Sequence, residues 1–119
     1  MPDPDKINSA LKKLINHRSS IREYQDAAIS KDELSYLLWC TQGVKEKVGN
    51  IHTLRTVPSA GARHALETFI LVNKVDGLRP GLYRYLALKH KIQEFIISDV
   101  IFDKVTHGCL GQEFVKESA

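Results

Sequence analysis

A run of small residues followed by an apolar stretch constrains the fold of this chain more than any other feature. Residues 58–62 read Pro-Ser-Ala-Gly-Ala, and a short polar segment separates them from the apolar residues 68–72. Proline disfavours helix at the residue before it and serine is a common helix cap, so the pattern predicts a turn that opens a short helix, about 60–66. The apolar run does not alternate, which predicts a strand over 68–73 covered on both faces.

Helical spacing of apolar residues predicts two helices ahead of this turn. The first covers about residues 5–16, where the apolar side chains fall on one face. The second covers 31–42, because Ser30 and Glu33 form a capping-box pattern before an apolar run and Gly43 is suited to end it. The apolar face of the second helix is wide, which predicts burial on more than one side.

The remaining segments complete an α+β pattern. Residues 44–57 are mixed in character and predict a long loop. Alternation within 82–86 and part of 92–97 predicts an antiparallel hairpin with a solvated tip. A helix is predicted over about 99–107, and 112–118 begins a further helical pattern. Strands and helices in this order predict an α+β fold, with an incomplete mixed or antiparallel sheet flanked by helices.

Composition narrows the classes of function. The net charge is +3 and the longest basic cluster is Lys89-His90-Lys91, too short for the basic stripe of a nucleic-acid binder. The chain has neither a signal-peptide pattern nor an apolar run of membrane-spanning length, which predicts a cytoplasmic protein with no membrane segment. Cys40, Cys109 and the five histidines lack metal-ligand spacing, so we predict no metal site and two reduced thiols in the core.

Three polar residues with a spacing of two suit a phosphate group. Residues 18–26 are polar and lack helical periodicity, which predicts extended backbone with alternate side chains on one side. Arg18, Ser20 and Arg22 then converge, and they offer the charge-assisted and hydroxyl donors that bind phosphate. Ile21 would point the opposite way, into the core. The same residues also suit a polar connection between helices with solvated arginines.

The small-residue turn suits the face of a flat ring. Small side chains let backbone approach such a ring closely, and backbone amides that open a helix can donate to its electronegative atoms. An ordinary turn with a helix cap has the same composition. His64 and Glu67 lie beside the turn and suit either acid/base chemistry or a solvated surface. The chain has no dinucleotide-binding glycine motif after a strand and no P-loop.

Taken in order, these motifs resemble the nitroreductase family of FMN-dependent oxidoreductases. The shared pattern is RSSIREY, a capped helix DELSYLLW, RTVPSAGARHALE, a strand and then GLYRY, and the last pieces are similar to the peptide azoline dehydrogenase branch. The resemblance implies that the FMN phosphate and ribityl chain are bound by Arg18, Ser19, Ser20 and Arg22. It implies that the isoalloxazine ring is lined by Pro58, Ser59, Ala60, Gly61 and Ala62.

The resemblance also implies partners and chemistry. Members form intertwined homodimers with two FMN sites between subunits. NAD(P)H reduces the flavin, which then reduces a nitroaromatic, a quinone or a similar acceptor; in the azoline branch the flavin oxidises a heterocycle. Arg63 and Ala65 depart from the family pattern, which often has an apolar or amide residue and a proline there.

Length sets the main expectation about organisation. With 119 residues, the chain is expected to form a single domain, 1–119, that corresponds to the N-terminal half of the family fold. It would then pair with a second copy or with a missing C-terminal portion. Because the other half normally supplies the donor near flavin N5, no catalytic residue is assigned, and whether this chain is an enzyme by itself stays open. A catalytically inactive flavin-binding or protein-interaction module is the alternative.

Overall fold

Four helices and two small antiparallel sheets make up the part of the chain that the structure, a computed structural model, describes, residues 9–119. The helices are α1 (Ala10–His17), α2 (Lys31–Gln42), α3 (Val100–Gly108) and α4 (Phe114–Glu117). The strands are β1 (Val44–Val48), β2 (His52–Arg55), β3 (Phe69–Val72), β4 (Gly81–Leu86) and β5 (Lys91–Ile96). The predicted α+β class is confirmed.

The first helix starts at a serine cap. The Ser9 hydroxyl accepts a hydrogen bond from Lys12 N at 3.2 Å, which satisfies one of the free amides at the start of α1. The predicted start of this helix at residue 5 lies outside the described residues. Leu11, Leu14 and Ile15 share one face and are all exposed, so the apolar stripe of α1 has no partner within the described chain.

The start of α2 is fixed by the predicted capping box. Ser30 Oγ accepts from Glu33 N at 3.2 Å, and the Glu33 carboxylate accepts from Ser30 N at 2.7 Å. The bond from the Ser30 backbone amide holds the pKa of the Glu33 carboxyl below its usual value. Of the helix residues only Leu38 is buried, whereas Tyr36 and Trp39 are exposed. The prediction that α2 is buried on several sides is therefore wrong for the described residues.

Removal of this cap has a defined cost. We expect Ser30→Ala to lower the free energy of unfolding by about 1 kcal/mol, because the Glu33 amide at the start of α2 loses its acceptor, the Ser30 hydroxyl. Urea unfolding followed by circular dichroism measures the change. Ser98→Ala is the matched control, since Ser98 precedes α3, whose cap makes no side-chain hydrogen bond. Equal effects of the two substitutions would contradict this account.

Residues 44–57 form a hairpin, so the predicted long loop is wrong. β1 and β2 pair antiparallel with Lys47 opposite Thr53 and Val48 opposite His52. Gly49 takes a φ of +57° in the connecting turn, a conformation that glycine adopts without strain. The hairpin forms a sheet of its own and shares no strand with β3–β5.

The core lies on the sheet β3–β4–β5, whose strands are all antiparallel. Val72, Val75 and Tyr83 form its buried cluster. The hairpin of β4 and β5 confirms the prediction for these segments, and the residues at its tip are exposed. Phe69 is 44% exposed, so the prediction that β3 is covered on both faces is wrong in the described chain. Its ring lies edge-on to Phe95, with centroids 5.0 Å apart.

The last two helices fold back beside the end of β3. The Asn73 side-chain amide donates to the carbonyl oxygens of Val115 at 3.0 Å and Ser118 at 2.9 Å, which ties α4 to that strand. Cys40 and Cys109 are both free and exposed, so the prediction of thiols in the core is wrong. Within residues 9–119, no helix is both long and apolar enough to cross a membrane.

Candidate functional site

The small-residue turn is sharply bent. A 3-10 turn covers Ala60–Ala62, shorter than the predicted helix, and Gly61, Ala62 and His64 have φ values of +60°, +52° and +45°. Non-glycine residues rarely adopt such angles and need local support. That support comes from Ser59, whose hydroxyl accepts from His64 N at 2.9 Å and whose carbonyl accepts from Ala62 N at 3.0 Å. Ser59 therefore closes the turn instead of capping a helix.

The bent turn leaves backbone donors available to a ligand. The N–H groups of Ala60 and Gly61 donate to no acceptor among the described residues. Pro58, Ala60 and Gly61 are exposed, and the side chains are too small to cover the backbone. A Cβ added at Gly61 would lie 3.8 Å from Arg63 Cγ, so the Arg63 side chain passes over this part of the turn. The bend therefore combines small exposed side chains with two amides that have no acceptor among the described residues.

The predicted phosphate-binding segment is exposed and irregular. Residues 18–28 contain no helix or strand. An Arg18 guanidinium nitrogen donates to Ser20 Oγ at 3.3 Å, whereas the Arg22 guanidinium lies 5.9 Å from the centroid of the Phe114 ring. Ile21 is 70% exposed, so the prediction that it points into the core is wrong. The structure brings Arg18 and Ser20 into contact and directs Arg22 towards α4.

The two predicted parts of the site are separate in the described chain. Ser19 is exposed, like its neighbours in the segment. Among residues 9–119, no hydrogen bond, ion pair or ring contact joins residues 18–22 to residues 58–62. A ligand that uses both groups must span the space between them.

Arg55 is the most firmly positioned cation near the turn. Its Nε donates to Thr53 Oγ1 at 3.2 Å, and a terminal nitrogen donates to Gln42 Oε1 at 3.1 Å. His64 lies beside it, with Nε2 3.1 Å from the Thr53 carbonyl oxygen. Arg55 and His64 line two adjoining clefts, one of about 250 Å³ and one of about 380 Å³.

The smaller cleft contains an ion pair between Glu67 and Arg84. The hydrogen bond from Arg84 holds the pKa of the Glu67 carboxyl below its usual value, and the charge of Arg55 acts in the same direction. Glu67 and His64, which suited an acid/base pair by sequence, bond to different partners here. The smaller cleft therefore presents an ionised carboxylate and two guanidinium groups.

A chain of three polar side chains links β4 to α2. The Tyr85 hydroxyl lies 2.7 Å from His90 Nδ1, and His90 Nε2 lies 2.7 Å from Ser35 Oγ. Burial raises the pKa of Tyr85, with the nearby charge of Arg55 acting in the opposite direction. These side chains line a third cleft of about 340 Å³, together with Leu38 and other apolar residues. Their contacts fix the tip of the β4–β5 hairpin against α2.

The described residues contain no group of three or more His, Cys, Asp or Glu side chains close enough together to hold a metal ion. Near the small-residue turn, the polar groups are guanidinium, imidazole, hydroxyl and backbone amide groups, with the Glu67 carboxylate paired to Arg84. This donor set suits anionic and electron-rich ligands.

The segments just described coincide with a known protein family. The model of that family, described as the Nitroreductase family, matches residues 15–111. The chain belongs to the nitroreductase family. The match includes Arg18, Ser20 and Arg22, the small-residue turn, the hairpin of β1 and β2, and all of the sheet β3–β5. The resemblance seen in the sequence motifs is confirmed.

A curated relative agrees with the nitroreductase assignment. A protein of Methanocaldococcus jannaschii named "Putative nitroreductase MJ1384" is 32% identical over 115 residues. The alignment covers 97% of this chain and 54% of the relative, so the chain spans about half the length of the curated relative it matches. The nitroreductase family consists of flavin-dependent oxidoreductases, and the α+β architecture is consistent with its fold.

Sequence reasoning missed some polar residues near the small-residue turn. Arg55 and its partners Gln42 and Thr53 were not predicted as site residues. The one local signal is the turn-forming pair Gly49-Asn50, because the charged run Lys45-Glu46-Lys47 breaks the apolar alternation of a strand. A hairpin prediction would have placed Lys47 and Arg55 on one pair of strands, whereas the position of that pair beside the small-residue turn depends on tertiary contacts.

Proposed function

We propose that this chain is the flavin-binding portion of an FMN-dependent oxidoreductase of the nitroreductase type. The observation that carries the proposal is the small-residue turn, whose Ala60 and Gly61 amides have no protein acceptor in the described chain. Its left-handed residues are held by the Ser59–His64 bond, so the donors are positioned before a ligand arrives. Membership of a flavin-dependent family supports an isoalloxazine ring as the proposed ligand of this surface.

We propose that residues of this chain bind FMN at both of its ends. We assign the ring to the backbone and small side chains of Pro58, Ser59, Ala60, Gly61 and Ala62. We assign the phosphate and ribityl chain to Arg18, Ser19, Ser20 and Arg22. Arg18 and Ser20 already contact each other, and guanidinium groups bind phosphate by charge-assisted hydrogen bonds. Arg22 must exchange its contact with Phe114 for the phosphate.

The flavin supplies the redox chemistry when it is bound, and the chain supplies binding and orientation. The amides of Ala60 and Gly61 donate to electronegative ring atoms and favour negative charge on the ring. The guanidinium groups of Arg18 and Arg22 neutralise the phosphate. The reductant is NAD(P)H, and the acceptor is a small nitroaromatic or quinone. In the alternative reaction, the flavin would oxidise a heterocycle, so electrons would pass to the flavin from the substrate.

The proposal extends to assembly. Residues 1–119 form the N-terminal portion of a single nitroreductase-like domain, in keeping with an alignment that covers 54% of the relative. The exposed apolar faces of α1 and α2 are then covered by a second copy of the chain, as an intertwined homodimer, or by a C-terminal portion of the domain. Burial of these faces would stabilise the assembly by roughly 25 cal/mol for each Å² of apolar surface removed from water.

Flavin retention tests the proposed function. The purified chain is incubated with FMN or riboflavin, passed over a desalting column, and titrated by quenching of flavin fluorescence. We expect FMN to co-elute and riboflavin to bind more weakly, because riboflavin lacks the phosphate. Anaerobic addition of NADH or NADPH should then bleach the retained flavin. Retention of neither flavin would overturn the proposal, and equal affinity for both would remove the phosphate assignment.

A further inference from the structure

The larger of the two adjoining clefts is markedly basic. It lies between the β1–β2 hairpin and the residues that follow the small-residue turn, and its volume is about 380 Å³. Five basic or imidazole side chains line it, and we call it the basic cleft: Lys47, His52, Arg55, Arg63 and His64. No Asp or Glu belongs to its lining. Its volume lies within the range of about 300–1,000 Å³ typical of small-molecule sites.

The register of the hairpin explains why cations gather here. Lys47 pairs directly with Thr53, so their side chains lie on one face of the hairpin. Arg55 is two residues from Thr53 and therefore shares that face. The hydrogen bonds of Arg55 to Thr53 and Gln42 then hold its guanidinium group in place.

The small-residue turn supplies the opposite wall. His64 reaches across to the Thr53 carbonyl oxygen at 3.1 Å, which joins the turn to the hairpin. Arg63 precedes it and also lines the cleft. Among the described residues, neither Lys47 nor Arg63 forms an ion pair, so their charges are uncompensated by protein. The nearby carboxylate of Glu67 is paired with Arg84.

We infer that the basic cleft binds a phosphate-bearing ligand, at a place separate from the segment of Arg18, Ser20 and Arg22. The cleft contains three formal cations, Lys47, Arg55 and Arg63. A ligand with a single carboxylate would neutralise them only in part, whereas a phosphate group carries more negative charge and more acceptor oxygens. The two guanidinium groups offer the forked donors that match phosphate oxygens. Identification of this ligand as the nicotinamide nucleotide rests on the proposed function; the anion site itself does not.

Isothermal titration of the 119-residue chain tests the inference, with inorganic pyrophosphate and NADP⁺ as separate probes. We expect both to bind, and the double variant Lys47→Gln/Arg63→Gln to raise each Kd by about tenfold or more, since each substitution removes a charge-assisted contact. The matched control is Lys45→Gln/Lys104→Gln, which removes two exposed charges outside the cleft. Circular dichroism verifies that both variants fold.

The outcomes separate this inference from the proposed function. A selective loss in the cleft variant supports it, and tighter binding of NADP⁺ than of pyrophosphate identifies a nucleotide as the source of the phosphate. The inference is overturned if neither probe binds, or if the control loses as much affinity as the cleft variant. It is also overturned if the cleft variant loses FMN affinity in parallel, because the cleft would then hold the flavin phosphate. Binding of pyrophosphate without any binding of FMN would contradict the proposed function alone.

Discussion

Replacement of Tyr83 by alanine is expected to lower the free energy of unfolding by about 3–5 kcal/mol, the loss typical of a large aromatic side chain removed from a core. Tyr83 is 2% exposed and belongs to the buried cluster with Val72 and Val75. Its hydroxyl donates to the Arg79 carbonyl oxygen at 2.8 Å. The substitution therefore leaves a cavity in the core on the sheet, and it removes the donor to the Arg79 carbonyl in the turn before β4.

Urea unfolding followed by tyrosine or tryptophan fluorescence measures the loss of unfolding free energy. Two further variants serve as controls. Tyr83→Phe keeps the ring and removes only the hydrogen bond, so about 1 kcal/mol is expected. Tyr24→Ala removes the same side chain at a position that is 45% exposed, and an effect within about 0.5 kcal/mol is expected. Equal effects at Tyr83 and Tyr24 would contradict the position of the core, and Tyr83→Phe remains informative if Tyr83→Ala does not fold.

The second large effect concerns the proposed phosphate site. We expect the double variant Arg18→Ala/Arg22→Ala to raise the Kd for FMN by roughly a hundredfold or more. Each guanidinium group contributes a charge-assisted hydrogen bond worth about 1.5–3 kcal/mol, and 1.4 kcal/mol corresponds to a factor of ten. Flavin fluorescence titration at fixed ionic strength measures the change, because these exposed charges are screened by salt.

Three controls make the second result specific. Riboflavin affinity should change little in the same double variant, since riboflavin has no phosphate. Arg18→Lys/Arg22→Lys should give an intermediate loss, because lysine keeps the charge and loses the forked geometry. The pair Lys45→Gln/Lys104→Gln removes two exposed charges elsewhere and should leave FMN affinity unchanged. A parallel loss for riboflavin and FMN would contradict the assignment of these arginines to the phosphate.

The parts of the fold that sequence predicted well depend on local signals. Ser30 and Glu33 lie three residues apart, and their reciprocal bonds fix the start of α2 without help from distant residues. The β4–β5 hairpin shows period-two alternation around a short polar tip. In both cases neighbours in sequence are neighbours in space, so a short window contains the information.

Predictions of burial failed because they depend on distant packing. Ile21 and Cys40 are apolar by type, yet each is exposed in the described chain. The sequence of the β1–β2 hairpin predicts a loop because Lys45, Glu46 and Lys47 interrupt its apolar positions. Its stability comes from cross-strand bonds and from partners on α2, which no local pattern reveals.

In the candidate site, too, local motifs were visible in the sequence and tertiary contacts were not. Motifs predicted the Arg18 segment and the small-residue turn as site features; both lie within the residues that the family model matches, and their roles stay a prediction. They did not reveal that Arg55 is held by Gln42, thirteen residues earlier, or that His64 reaches Thr53. The basic cleft arises from these tertiary contacts, so it becomes visible only once the hairpin and the turn are placed together.

The separation of the β1–β2 hairpin from the main sheet affects how a ligand in the basic cleft is bound. A two-stranded hairpin has little stability of its own, and this one relies on Arg55 and Thr56, which bond to Gln42, Gly43 and Trp39. Local opening of the hairpin therefore costs less free energy than opening of β3–β5. An anion that bridges both walls closes the hairpin, so its apparent affinity is reduced by the fraction of molecules in which the hairpin is open. Substitutions on the back of the hairpin thereby tune binding without touching the ligand.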